Sequence, residues 1–303
     1  MKPEISVIVC THNPRLDYFE RVLNALKSQT LNQEKWELLV VDNASDRPLK
    51  TEIDVSWHPH SRVVREEKLG LTLARLCGIQ ESNGETIVFV DDDNVLDSDY
   101  LEQTLHISKE WKFIGAWGGQ TRPEFEEVPP AWTKSYWSSL AIREFDEDKW
   151  ANLPEQAESR PCGAGLCIRR CVAEKYFELV KANPKRTKLG RTGKALTGGE
   201  DFDIAYTACS IELGTGRFTR LKLTHLIPNK RLQESYLLEL IKGNAYSNTI
   251  LSALWQKKAE NLCLSQRIFQ HYIRWRMDAR SRRFYDASQT GKRMAIKEIS
   301  TWS

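Results

Sequence analysis

The stretch VFVDDDNVL, Val88–Leu96, ends a run of apolar residues in three consecutive aspartates. Carboxylates this close repel one another, so a cation or a polyhydroxy ligand is needed to make the arrangement tolerable. Read back to Glu85, the run becomes ETIVFVDDD, a continuous apolar strand with no polar alternation. The same type recurs upstream in EISVIVC and WELLVVD, and SRVVREE reads as a further strand. Between them, DYFERVLNALKSQ sets Phe19, Val22, Leu23 and Leu26 on one helical face, and LTLARLCGIQES reads as a helix stopping at Asn83-Gly84. Continuous apolar strands alternating with helices predict an α/β fold, a mostly parallel sheet flanked by helices on both faces. In such sheets ligands gather beyond the carboxyl ends of the strands. The polar residues stand there: Thr11 and Asn13 after the first strand, Asp42 after the second, Asp91, Asp92 and Asp93 after the fourth.

Beyond FIGAWGGQT the pattern changes. Residues 122–160 are rich in Pro, Trp and Glu and read as a long ordered excursion. GAGLCIRR and a helix from Cys171 to about Ala182 follow. NPKRTKLGRTGKALTGG carries five basic residues and no acid, and its composition predicts a mobile loop. EDFDIAYTACSIELG returns to helix and RFTRLKLTHLIP to strand; from about Leu232 the pattern is helical throughout.

The chain has 303 residues and 41% hydrophobic composition, enough to bury a substantial core, and its net charge of +3 is too small to argue for nucleic acid. The opening run lacks a signal-peptide layout, and no segment approaches the roughly 18 apolar residues of a membrane span. Seven cysteines without a C-x-x-C pair predict reduced thiols and a cytoplasmic protein.

Three aspartates after a buried strand suit a hard cation such as Mn²⁺ or Mg²⁺, bound through one or two carboxylates and substrate phosphates, while a further carboxylate accepts from a ribose diol. The competing reading is an aspartate-rich helix N-cap. Asp42 has a turn role as its alternative. Taken together at one sheet edge, these groups suit a nucleotide base. GGED, residues 198–201, is either a close backbone approach to a sugar or a helix start with acids in its first turn.

In the order VIVCTHN, LLVVDNASD, GLTLARLCGI, VFVDDDNVLD, GAGL, GGEDFD, the chain resembles the family 2 inverting glycosyltransferases with the GT-A fold, over about residues 4–245. The resemblance implies a GT-A catalytic domain, taken as residues 1–235, with a helical C-terminal extension over 236–303. It implies that a nucleotide-diphosphate sugar sits at the sheet edge and that a hydroxyl group, on a glycan, a lipid-linked or another acceptor, receives the sugar. By that likeness Thr11, Asp42 and Arg75 hold the base side of the nucleotide, with Asn13 and Asp91 in the same site, and Asp92 binds the ribose. Asp93 binds the metal, joined by His225, for which a structural role is the alternative. Asp201 matches the catalytic base, with Glu200 beside it near a sugar. Lys68 and Leu76 stand where the family often has asparagines.

Several features fall outside that likeness. The basic loop 185–194 could close as a lid or stay a solvated surface. GRTGKA lacks the first glycine and the Ser/Thr of a phosphate-binding P-loop. Trp117, Trp132 or Trp137 could line an acceptor site or simply pack. Residues 267–283 hold six arginines, so this helix could rest on an anionic membrane surface. Two rival functions remain open: a phosphohydrolase, because DDDNV fits D-x-D-x-V, and a sugar-binding module without transfer.

Overall fold

A computed structural model describes residues 2–193, 195–256 and 272–302. Its first half follows the alternation in the sequence: β1 (Ile5–Thr11), α1 (Leu16–Lys27), β2 (Trp36–Asn43), β3 (Ser61–Glu66), α2 (Leu71–Glu81) and β4 (Thr86–Asp91). Then come β5 (Asn94–Leu96), α3 (Tyr100–Glu110), β6 (Ile114–Phe125), β7 (Lys149–Ala151), β8 (Cys167–Arg169), α4 (Arg170–Ala182), α5 (Glu200–Ser210) and β9 (Gly214–Ile227). Two long helices close the chain, α6 (Glu234–Leu254) and α7 (Ala279–Ile299).

The described strands form one sheet in the order β3-β2-β1-β4-β8-β6-β9-β5, with β7 on β9. The first four strands are parallel, as their continuous apolar runs require. From β8 onward the pairing is mixed: β8 is antiparallel to both β4 and β6, β9 is parallel to β6, and β5 is antiparallel to β9. Alternate residues of β1 feed two cores. Ile5, Val7 and Val9 pack with α1 and α3, whereas Ile8 and Cys10 face α2, α4 and α5.

The excursion at 122–160 is ordered as expected, with a 3₁₀ run over Ala131–Leu140 that joins α6 and α7 in a third apolar cluster around Leu237, Leu240 and Phe284. A Cβ on Gly291 of α7 would strike the carbonyl of Lys242 on α6, so the two helices meet backbone to backbone. The first part of the loop predicted to be mobile is instead packed against the fold. Pro184–Leu189 forms a 3₁₀ turn whose Arg186 and Leu189 are buried. Arg186 is ion-paired with buried Asp203 and lies over the Trp255 ring, while Trp255 Nε1 donates to Asp203 at 2.6 Å. Gly190 is required farther on, because any side chain there would run into Thr72 and Glu200. Lys194 lies outside the described residues.

Trp117 is wholly buried in the core of β6, so it cannot line an acceptor site. Trp137 packs on Phe125, and Trp132 lies near Tyr136 and Phe284. The arginine-rich segment is not one continuous basic helix. Helix at 272–276 ends before Asp278, which caps α7 by accepting from Arg280 and Ser281 N–H. Arg274 pairs with Asp286, and Arg280 and Arg283 pair with Glu234. Residues 267–271 of that predicted helix lie outside the described residues. The six described cysteines are free thiols.

At the amino ends of the strands, His58 is buried with its ring 4.0 Å from that of Trp36, and its Nδ1 accepts from His60 N–H at 3.1 Å. Burial, helped by the neighbouring His60, lowers its pKa to about 4 from the usual 6.5. The unfolded chain therefore binds a proton that the folded chain refuses across this window. The contribution of neutral His58 is complete above about pH 6.5 and is lost as pH falls towards 4. Chemical denaturation should lose about 2 kcal/mol between pH 7 and pH 4.5 through this group. His58→Gln should flatten that part of the slope; an unchanged slope would assign the acid sensitivity elsewhere.

Candidate functional site

The carboxyl ends of β1 and β4 open into a cleft of about 510 Å³, within the usual range for small-molecule sites. Thr11, Asp91, Asp92 and Asp93 line it from the sheet, Arg75 from α2, Glu200 and Asp201 from the start of α5, and His225 from β9.

The triple aspartate is a strand end followed by a two-residue turn: β4 finishes at Asp91 and β5 starts at Asn94. No helix begins there, which removes the N-cap alternative. The antiparallel register sets Asn94 opposite His225, and Leu226 N–H donates to the Asp93 carbonyl at 2.9 Å. This pairing carries His225 Nε2 to 3.4 Å from Asp93 Oδ2. Arg231, in the 3₁₀ turn Asn229–Leu232, reaches both groups. Its Nη2 is 2.7 Å from Asp93 Oδ2, and its Nη1 is 2.9 Å from His225 Nε2.

The three carboxylates occupy different electrostatic surroundings. Burial disfavours the Asp93 anion, yet the Arg231 guanidinium outweighs it and holds the group below the usual carboxylate range. Desolvation in the cleft, with the Asp93 charge beside it, pushes Asp92 up to about 7 against a hydrogen bond from the Thr11 hydroxyl. Asp91 is also raised by burial, with Arg75 opposing.

Beneath this row lies a buried ionic network. Arg75 pairs with Glu200 at 2.6 Å and Asp91 at 3.3 Å, and Thr72 Oγ1 donates to Glu200 at 3.1 Å. Arg75 was expected on the base side of a nucleotide; its side chain is 2% exposed and its guanidinium is committed to these two acids. Glu200 is likewise held at the cleft floor, its pKa raised by burial with Arg75 opposing. Asp201, half-buried, accepts from Gly163 N–H at Oδ2 and from Phe202 N–H at Oδ1, both at 2.9 Å. The first turn of α5 thus is a helix start rich in acids, and it presents Asp201 to the cleft at the same time.

Asn13 and Asp42 do not line the cleft. Asn13 bonds Ser45 and Asp46, and Asp42 uses both oxygens on Ser45 N–H, Leu49 N–H and Arg65. These are the contacts of the turn role that was the alternative for Asp42. His12 and Asn43, one residue from each, line the cleft instead. His12 Nδ1 lies 2.8 Å from the Asn43 carbonyl, and the Asn43 carboxamide ties β2 to the loop before α2 through Lys68 O and Gly70 N–H. Arg143, Arg191 and Arg231 also line the cleft; Arg191 belongs to the basic loop weighed as a lid, whereas Arg143 and Arg231 were not anticipated. For Arg231 a signal existed: it follows His225 by six residues, in a turn that must fold back because α6 starts at once.

Among the described residues no three His, Cys, Asp or Glu converge as a metal site. Asp93 and His225 nevertheless offer one hard oxygen and one imidazole on facing atoms. The second His225 ring nitrogen is buried without a partner. Such a pair fits a divalent cation completed by phosphate oxygens and water.

The family model described as glycosyl transferase family 2 matches residues 6–173, more than half the chain. The chain is 31% identical over 104 residues to the glycosyltransferase AglE of Haloferax volcanii, a match covering 33% of this chain and 34% of that protein. The chain thus spans about a third of that relative. Among solved structures it is similar to S. aureus TarS residues 1–349 bound to UDP-GlcNAc, with 14% identity and a TM-score of 0.54, covering 99% of this chain and 83% of that one. It is also similar to GalNAc-T7 with UDP, GalNAc and Mn²⁺, at 16% identity and a TM-score of 0.58, covering 99% of this chain and 57% of the other.

Proposed function

The chain belongs to glycosyl transferase family 2 and has the GT-A fold of that family, and on that premise we propose that it moves a sugar from a nucleoside diphosphate donor to a hydroxyl acceptor with inversion. The observation that carries the reading is one cleft lined by Asp93 and His225 and by Asp201 from the start of α5. The acceptor oxygen bonds to the anomeric carbon as the bond from that carbon to the diphosphate oxygen breaks. The electron pair leaves with the diphosphate, and the hydroxyl proton goes to the Asp201 carboxylate. Gly163 and Phe202 N–H fix that carboxylate while leaving lone pairs for the proton.

Asp93 and His225 would hold Mn²⁺ or Mg²⁺, which when bound neutralises charge on the departing diphosphate as a Lewis acid. Asp92 accepts from the ribose, Thr11 orients Asp92, and His12 and Asn43 flank the base. Glu200 and Arg75 keep the floor in place. Support for a UDP-sugar comes from the neighbours solved with UDP-GlcNAc or UDP.

The acceptor belongs to polysaccharide or glycoconjugate synthesis and the protein works in the cytoplasm. Among the described residues no helix is long and apolar enough to cross a membrane. Contact with a membrane surface is proposed through 272–276, where Tyr272, Ile273 and Trp275 are exposed together. The phosphohydrolase alternative needs Asp91 as nucleophile, but Arg75 holds that group beside Glu200 at the floor. A module that only binds sugar has no use for Asp201 in the same cleft as the Asp93–His225 pair.

A thermal-shift screen of UDP, GDP and dTDP, each with and without Mn²⁺ or Mg²⁺, tests the reading. A nucleotide at 100 times its Kd adds about 2.7 kcal/mol to stability, a shift of several degrees. UDP with Mn²⁺ is expected to give the largest rise. No rise with any nucleotide would overturn the proposal.

A further inference from the structure

We propose that Arg231 is a built-in counter-cation for the Asp93–His225 pair, giving up both groups to a divalent metal only when a nucleotide diphosphate arrives to take the guanidinium. This rests on the metal-assisted reading above and adds a coupling between metal and nucleotide that the reading itself does not require.

The geometry is specific. Arginine donates and never accepts, so Arg231 Nη1 at 2.9 Å fixes His225 Nε2 as the acceptor and leaves the ring proton on Nδ1, the atom buried without a partner. Asp93 Oδ2 and His225 Nε2 are then two acceptors facing each other at 3.4 Å. Such a pair is stable only with positive charge between them, and the Arg231 fork supplies it, one nitrogen to each. A divalent cation would use these same two lone pairs. It sits about 2.0–2.1 Å from an oxygen ligand if Mg²⁺, closer than a hydrogen-bonded nitrogen, so metal and guanidinium exclude one another by charge and by space.

Arg231 stays charged, as a guanidinium does in proteins. Once displaced it needs another anion. The other acids lining the cleft offer little: Asp91 and Glu200 already hold Arg75, Asp92 accepts from the Thr11 hydroxyl and is the ribose partner of the proposed site, and Asp201 is bonded to two backbone N–H groups. A diphosphate brought to the Asp93 side is an anion that a planar guanidinium can grip in a bidentate way. Metal and nucleotide must then each raise the other's affinity by the same factor.

Calorimetry with Mn²⁺ alone, UDP alone and both together, on the parent and on Arg231→Gln, tests this. The parent is expected to bind Mn²⁺ at least about tenfold more tightly with UDP present, the scale of the charge-assisted bonds exchanged. Arg231→Gln is expected to bind Mn²⁺ without UDP about tenfold more tightly than the parent, and UDP should then add little. If circular dichroism shows that variant unfolded, Arg231→Lys serves, since an ammonium keeps the charge but lacks the planar fork; it too should bind Mn²⁺ alone more tightly than the parent. Equal Mn²⁺ affinities without UDP in parent and folded variant would overturn the proposal. If the parent still binds Mn²⁺ with UDP in that case, the metal-assisted reading survives. If the parent binds no Mn²⁺ even with UDP, both fall.

Discussion

Asp93→Ala is expected to abolish metal-dependent nucleotide binding, lowering the affinity for UDP in the presence of Mn²⁺ by at least about a hundredfold. That is the scale of removing one member of a buried charge pair, about 3–5 kcal/mol. Asp93 is the carboxylate in the row that its neighbours hold ionised, with Arg231 at 2.7 Å and Asn94 Nδ2 donating at 2.9 Å. Neither Asp91 nor Asp92 can stand in. Asp91 faces Arg75, and Asp92 is pushed up to about 7 by desolvation and by Asp93 itself. Alanine at 93 also relieves that repulsion, so the fold should survive even though Arg231 loses its partner. Calorimetric titration of UDP with and without Mn²⁺ is the check, and unchanged affinity in the variant would sink the assignment.

The parallel half of the fold was legible because buried strands in a parallel sheet carry a signature that few other structures share. VIVC, LLVV and VFV are apolar on both faces, and both faces do meet helices. The antiparallel half was not, because β5 and β8 are three residues each and carry no periodicity. That loss mattered for the site. His225 reaches Asp93 only through the β5–β9 register, a pairing of residues far apart in the chain that no spacing rule supplies. Composition misled at 184–189, where basic residues suggested a free loop. Arg186 is buried because Asp203 and Trp255 wait for it, and those positions are set by α5 and α6. Arg75 was found, but its two acidic partners were not. A sequence shows that an arginine follows a strand and a loop, but not that two acids close over it. Asn13 and Asp42 stand one residue from His12 and Asn43, the side chains that line the cleft.

Asp201→Asn should lower kcat by about 10²–10⁴-fold while leaving donor affinity nearly unchanged, since an amide cannot take the acceptor's proton at neutral pH. The substitution is close to isosteric. Its carbonyl can keep one of the two backbone donors, Gly163 N–H or Phe202 N–H, and the NH₂ must face the other, so a small loss of stability is expected. Glu200→Gln separates the two acids. Glu200 is a floor residue paired with Arg75 at 2.6 Å, and neutralising it leaves a buried guanidinium with Asp91 as its remaining close partner. That variant should unfold at a lower temperature, whereas Asp201→Asn should melt close to the parent. UDP release from whichever UDP-sugar stabilises the protein, measured at saturating donor with calorimetric donor Kd alongside, reads both. Release near the parent rate in Asp201→Asn, with a folded Glu200→Gln inactive, would make Glu200 the base and reverse the assignment.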